Sequence, residues 1–106
     1  MDSITEDTRR LRKALADNKE ALARIFAKYE VKNPRVFGSV ARGDATANSD
    51  IDILVDSYKP NLGLMRLTGL INELEDTLGA PVDFVRQDLV KENRRKYILE
   101  GAQLAI

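Results

Sequence analysis

The sequence contains no cysteine and no histidine. Without cysteine, disulfide bonds, zinc–thiolate centres and thiol nucleophiles are excluded. Without histidine, the chain lacks the commonest general base near neutral pH, which excludes Ser-His-Asp hydrolysis and histidine metal cages. Any catalysis by this chain must therefore depend on carboxylates, hydroxyls, Lys, Arg and bound metal.

The chain also lacks an excess of either charge and any long apolar run. Seventeen Lys and Arg residues balance 17 Asp and Glu residues over a length of 106, so direct binding to nucleic acid or to a membrane is not expected. Residues 1–7 are acidic without an apolar signal core, and no apolar run approaches membrane-spanning length. We expect a soluble cytoplasmic protein that forms a single domain over residues 1–106.

The spacing of apolar residues predicts a mixed arrangement of helices and strands. One amphipathic helix is predicted from Ser3, which has capping-box spacing to Glu6, as far as Tyr29. Further elements are predicted in this order: a strand at 35–37, a short helix at 39–42, a strand at 51–55, a helix over 64–78, a strand at 81–85, and a helix from Asp88 as N-cap to about Leu99. We expect an α/β (α+β) fold, with a single mixed sheet of three or four strands flanked by helices.

The most informative segment is residues 49–55, which carries Asp50 and Asp52. Alternation places both acids on one face of a strand, about 6.5 Å apart at Cα, on the side that faces solvent. Two such carboxylates can hold Mg²⁺, which prefers one or two carboxylates together with substrate phosphates. The alternative interpretation is a strand with an acidic outer face, or an edge strand that charge protects from aggregation.

A third acid, Asp83, lies between apolar residues in another predicted strand. If that strand neighbours the one at 51–55, the side chains of Asp50, Asp52 and Asp83 converge. Such a three-carboxylate arrangement suits two-metal phosphoryl chemistry, in which Asp50 and Asp52 bridge the metals and Asp83 coordinates one metal and helps to deprotonate the attacking hydroxyl. The alternative for Asp83 alone is a strand aspartate paired with a nearby arginine.

Gly38 and Ser39 follow a predicted strand and open a short helix. A glycine there lets the backbone approach a ligand, and the free N–H groups and the Ser39 hydroxyl can hold phosphate oxygens. Arg42 lies one turn further on, where its guanidinium can pair with a triphosphate oxygen. The alternative is an ordinary strand-to-helix connection.

Together, residues 38–44 and 49–56, followed by residues 82–85, resemble the nucleotidyltransferase superfamily of the DNA polymerase β fold. Within that superfamily the chain most resembles the minimal nucleotidyltransferases, or MNT proteins, which act as antitoxins beside HEPN toxins. The resemblance spans nearly the whole chain, and only the last ten or so residues match loosely.

The resemblance implies a role for each predicted site residue. Gly38 and Ser39 would hold the triphosphate, Asp50 and Asp52 would bind Mg²⁺, and Asp83 would be the third acid. It further implies two Mg²⁺ ions and transfer of AMP from ATP to a tyrosine hydroxyl of a cognate HEPN ribonuclease toxin, within a hetero-oligomer.

Two other functions stay open from the sequence. The first is a non-catalytic antitoxin that masks its toxin, which the small size and the segregated charge favour. Residues 42–56 carry a net charge of −3, and residues 86–97 carry a net charge of +3 that includes the basic cluster Lys91, Arg94, Arg95 and Lys96. This basic cluster could approach ATP phosphates, meet an acidic partner or contact RNA, and the alternative interpretation is a solvated helix face. The second is a nucleotidyltransferase whose acceptor is a small molecule or an RNA end.

Overall fold

The structure is a computed structural model that describes residues 3–106. Its elements are α1 (Glu6–Asp17), α2 (Lys19–Lys28), β1 (Arg35–Phe37), α3 (Gly38–Arg42), β2 (Ile51–Val55), α4 (Leu64–Leu78), β3 (Val82–Arg86), α5 (Glu92–Glu100) and β4 (Leu104–Ala105). The four strands form one sheet in the order β3-β2-β1-β4, with β2 and β3 parallel and the other pairs antiparallel. The predicted α/β fold, with a single mixed sheet flanked by helices, is confirmed. Among residues 3–106, no helix has the length and apolar character to cross a membrane.

The parallel pairing of β2 with β3 brings distant parts of the sequence together. Helix α4 makes the crossover between the two strands, as parallel pairing requires. The register places Asp52 directly beside Asp83, and neighbouring strands are about 4.8 Å apart. The adjacency that the site prediction needed is therefore present in the fold.

One face of the sheet packs against helices α1, α2 and α4 and forms the main core. Ile51, Ile53 and Val55 of β2 point into it and are completely buried, together with Leu70 and Leu74 of α4. Burial of one such side chain contributes roughly 1.5–3 kcal/mol. The alternation in β2 predicted this inward direction, and this prediction is confirmed.

The other face of the sheet is divided into an apolar part and a polar part. Leu54 is completely buried there, in a second cluster with Phe37 and Ile98 of α5. The expectation that this face is open to solvent is wrong at Leu54, because α5 covers it. Toward the start of β2 the same face carries Asp52, with Asp83 as its neighbour.

The guanidinium of Arg35 is buried and ties the segments on both sides of α5 to the sheet. Its Nη1 donates to the Asp56 carboxylate at 2.7 Å and to the Asn33 carbonyl at 2.8 Å. Its Nη2 donates to Gln87, before α5, and its Nε donates to Gln103, after α5, at 3.3 Å. A buried cation persists only when it is paired in this way. Arg35 therefore fixes where α5 lies over the sheet.

The single helix predicted from Ser3 to Tyr29 is wrong, because the chain forms two helices. The Asn18 side chain donates to the Ala14 carbonyl at 2.8 Å, and this competition with the helical backbone ends α1. The N-cap is not Ser3 but Thr5, whose Oγ1 accepts from the Thr8 amide at 3.1 Å.

The prediction that Asp88 caps the last helix is also wrong. The guanidinium of Arg86 donates to both carboxylate oxygens of Asp88, at 2.7 and 2.8 Å, so this carboxylate does not cap a helix. Asp88 lies in a 3₁₀ turn, Gln87–Leu89, and α5 begins only at Glu92. Strand β4 was not predicted, since two residues are too short to show alternation.

Candidate functional site

Gly38 brings the backbone into direct contact with the carboxylate of Asp52. Its φ is +70°, a left-handed conformation that side chains disfavour, and a Cβ at this position would overlap Oδ2 of Asp52. Any larger residue would displace either the carboxylate or the loop. The predicted need for a glycine where β1 ends and α3 begins thus has a specific physical cause.

The short helix α3 is held in place by side chains of α1. Arg12 donates from Nε to the Val40 carbonyl at 3.0 Å and from Nη2 to the Ala41 carbonyl at 3.1 Å, which satisfies the end of α3. The buried hydroxyl of Thr8 accepts from the Ala45 amide at 3.0 Å. The first helix therefore positions the loop that carries Gly38, although sequence periodicity assigned it only to the core.

The carboxylate of Asp52 experiences an excess of negative charge. Burial, the charge of Asp83 and the charge of Asp50 raise its pKa from the usual 3.8 to about 6, in that order of importance. Arg42 and Arg94 act in the opposite direction and offset only part of the effect. A group with these neighbours is destabilised in its ionised form until a cation binds.

The arrangement of the acids is that of an open site. Within residues 3–106, no three His, Cys, Asp or Glu side chains are close enough together to hold a metal ion by themselves. Asp50 is exposed just before β2, while Asp52 and Asp83 are side by side in the sheet. The strands thus converge as predicted, but the three carboxylates do not form a closed centre. Hard oxygen donors with uncompensated charge fit Mg²⁺, which completes its shell with water and phosphate oxygens.

A cleft of about 890 Å³ opens over these residues. Five of the six predicted site residues line it, and they are Gly38, Ser39, Arg42, Asp50 and Asp52. Asp83 does not line the cleft. It lies outside, next to Asp52 on the neighbouring strand.

The opposite wall of the cleft comes from α5 and the residues after it, where the basic cluster was given a possible role but no residue was assigned to the site. Arg94 and Tyr97 line the cleft, and Tyr97 is 82% exposed. Arg94 is close enough to lower the pKa of Asp52. Arg94 is exposed to solvent, as a solvated helix face would be, and it also lines the cleft, so its charge acts on the site from an exposed position. Its spacing of four residues from Ile98, which is buried against the sheet, is the signal that would have placed it on the side of α5 that borders the cleft.

A family model described as "Nucleotidyltransferase domain" matches residues 10–105. The chain belongs to the nucleotidyltransferase family. The resemblance in residues 38–56 and 82–85 predicted this membership, which is thereby confirmed. The protein adenylyltransferase MntA of Thermococcus cleftensis is 38% identical over 72 residues, covering 68% of this chain and 72% of the relative.

Two solved structures place this nucleotidyltransferase among small members of the family. One is provisionally described as a minimal nucleotidyltransferase, with a TM-score of 0.70, 34% identity and coverage of 85% of this chain and 91% of that chain. The other is described as a toxin–antitoxin with AMP-PNP, with a TM-score of 0.50, 26% identity and coverage of 79% and 60%. The nucleotidyltransferase fold is thus shown by both sequence and structure.

Proposed function

We propose that this nucleotidyltransferase is an antitoxin that transfers AMP from ATP to a tyrosine hydroxyl of a cognate HEPN ribonuclease toxin. The observation that carries the proposal is the contact of the Gly38 loop with Asp52, beside Asp83, at the edge of the cleft. A relative named protein adenylyltransferase supports a protein acceptor, and a structural neighbour described as a toxin–antitoxin with AMP-PNP supports a nucleotide donor and a toxin partner.

The nucleotide would occupy the cleft between α3 and α5. Ser39 and the backbone after Gly38 would hold the phosphates, with Arg42 on one wall and Arg94 on the other neutralising their charge. Asp50 and Asp52 would hold Mg²⁺. When bound, this ion neutralises the two carboxylates and stabilises the attacking and departing oxygens.

Asp83 would serve the acceptor, since it lies next to Asp52 but outside the nucleotide cleft. Its carboxylate would take the proton of the tyrosine hydroxyl as the oxygen attacks the α-phosphorus in line. The bond from the α-phosphorus to the bridging oxygen breaks, and pyrophosphate leaves. The acceptor becomes a phosphodiester with AMP, which blocks the modified residue.

The test is the intact mass of the protein encoded beside this chain in its genome, after incubation with the purified chain and MgATP. We expect a gain of one or more AMP units, and an Asp52→Asn variant slower by roughly a thousandfold or more. An Asp76→Asn variant, which removes an exposed acid of α4, is the matched control and should react normally. Transfer at a near-normal rate by Asp52→Asn would contradict the proposal. A stable complex without any gain in mass would favour the masking antitoxin.

A further inference from the structure

A second groove, of about 660 Å³, lies along the outer edge of β3. We call it the edge groove. Its apolar wall is formed by Tyr58, Leu67, Phe84 and Leu89, and its cationic rim includes Lys91 and Arg94. Leu89 is 69% exposed. An apolar surface of this kind at the edge of a binding cleft marks an interaction site in many soluble proteins.

The main chain of β3 is available in the edge groove. β3 is the last strand of the sheet and pairs only with β2 within residues 3–106. Because the Ile51 amide donates to the Pro81 carbonyl at 2.9 Å, alternate residues from Val82 onward direct their N–H and C=O groups away from β2. Glu75 accepts from the Val82 amide at 3.0 Å and so closes only the first of these positions. The backbone of Phe84 is left directed at the groove.

The charge of the rim indicates the chemistry of the occupant. Arg86 is already paired with Asp88, and its guanidinium lies 5.0 Å from the Tyr58 ring. Lys91 and Arg94, in contrast, form no ion pair with any residue from 3 to 106. An occupant with an acidic group beside an apolar side chain complements both the rim and the wall.

The edge groove adjoins the nucleotide cleft. Arg94 lines both cavities. Asp83 directly precedes Phe84 in β3 and is in register with Asp52. A chain that lies along β3 therefore passes the one predicted acid that is outside the nucleotide cleft.

We propose that the edge groove binds an extended segment of the partner protein, acidic and apolar in character, which pairs with β3 as an added strand and brings its hydroxyl to Asp83. This inference rests on the proposed transferase function and names the surface that delivers the acceptor. Main-chain pairing would supply affinity, while the apolar wall and the unpaired cations would select the segment.

Two groove substitutions and two matched controls test the proposal. Leu89→Glu and Lys91→Glu change the edge groove. Met65→Glu and Lys96→Glu likewise replace an apolar residue and a lysine by glutamate, at exposed positions that line neither cavity. Affinity for the partner encoded beside the chain is measured by calorimetry without ATP, and AMP transfer is measured separately by intact mass. The rise in Tm with MgATP reports that each variant is folded.

We expect each groove substitution to weaken partner affinity about tenfold and to reduce transfer at limiting partner in parallel, since hot-spot contacts have effects of this size. The controls should stay within about twofold of wild type. Unchanged affinity for the partner in both groove variants would overturn the proposal that the edge groove binds the partner. Binding of a single-stranded RNA oligonucleotide by the wild type and the controls, but not by the groove variants, would also overturn it. If the groove variants bind the partner more weakly but the wild type transfers no AMP, the edge groove is a docking surface and the proposed transferase function is refuted.

Discussion

Replacing Asp52 by asparagine should stabilise the protein in the absence of divalent cations. No residue from 3 to 106 donates a hydrogen bond to this carboxylate, so the amide loses no partner. The folded-state pKa of Asp52 is raised to about 6 from 3.8. Below about pH 4 the group is protonated in both folded and unfolded chains, so it carries no charge that could lower the free energy of unfolding. As the pH rises from 4 to above 6, the unfolded chain loses its proton first and folding stability decreases.

The size of the effect follows from that pKa. At about 1.4 kcal/mol per unit, a rise from 3.8 to about 6 corresponds to at most about 3 kcal/mol. Because Asp52 is only half-buried, solvent screens part of the repulsion, and we expect about 1–2 kcal/mol.

Urea unfolding in EDTA, followed by circular dichroism between pH 4 and pH 8, measures this difference directly. Urea is suitable because it adds no salt that would screen the carboxylates. The Asp52→Asn variant should match the wild type near pH 4 and exceed it in free energy of unfolding at pH 8. The free energy of unfolding of the control Asp76→Asn should differ from that of the wild type by less than about 0.5 kcal/mol at both pH 4 and pH 8. A variant that is less stable at pH 8, or a difference independent of pH, would refute the charge argument.

Three further substitutions test how the site is supported. Gly38→Ala should lower the Tm and abolish the rise in Tm with MgATP, because its Cβ overlaps the carboxylate of Asp52. Thr8→Val should cost roughly 1–3 kcal/mol in urea unfolding, because the buried Ala45 amide loses its acceptor; an unchanged midpoint would mean that the loop after α3 is held by other contacts. Leu54→Ala should cost about 2–5 kcal/mol by the same measurement and loosen α5, detected as faster amide hydrogen exchange there.

The part of the site that alternation and turn chemistry determine could be predicted from the sequence. The pattern of residues 51–55 requires Ile51 and Ile53 to point one way and Asp52 the other, and the structure agrees. A glycine at position 38 is required by a close approach, which the strand–glycine–helix pattern also indicates. Such local signals depend on neighbouring residues alone.

The rest depends on contacts between residues far apart in the sequence. Periodicity contains no information on which strands pair, so only the family resemblance predicted that Asp83 would lie beside Asp52. The placement of Arg94 depends on how α5 is anchored, by Ile98 in the second cluster and by Arg35 at both ends. The break at Asn18 reflects a competing hydrogen bond that hydrophobic spacing does not register.

The two like charges of the half-buried Asp52 and Asp83 carboxylates have a consequence for how such proteins diverge. Neither acid contributes to the core, and the fold is expected to gain stability when Asp52 is replaced. Under the proposed function, selection for catalysis therefore acts against a gradient of stability at Asp52. In lineages where the chain is retained only for its surface, neutral drift should remove the acid early and leave the sheet and helices intact. If the proposed role of Asp52 holds, sequences with a neutral residue at this position would mark relatives that act by binding alone.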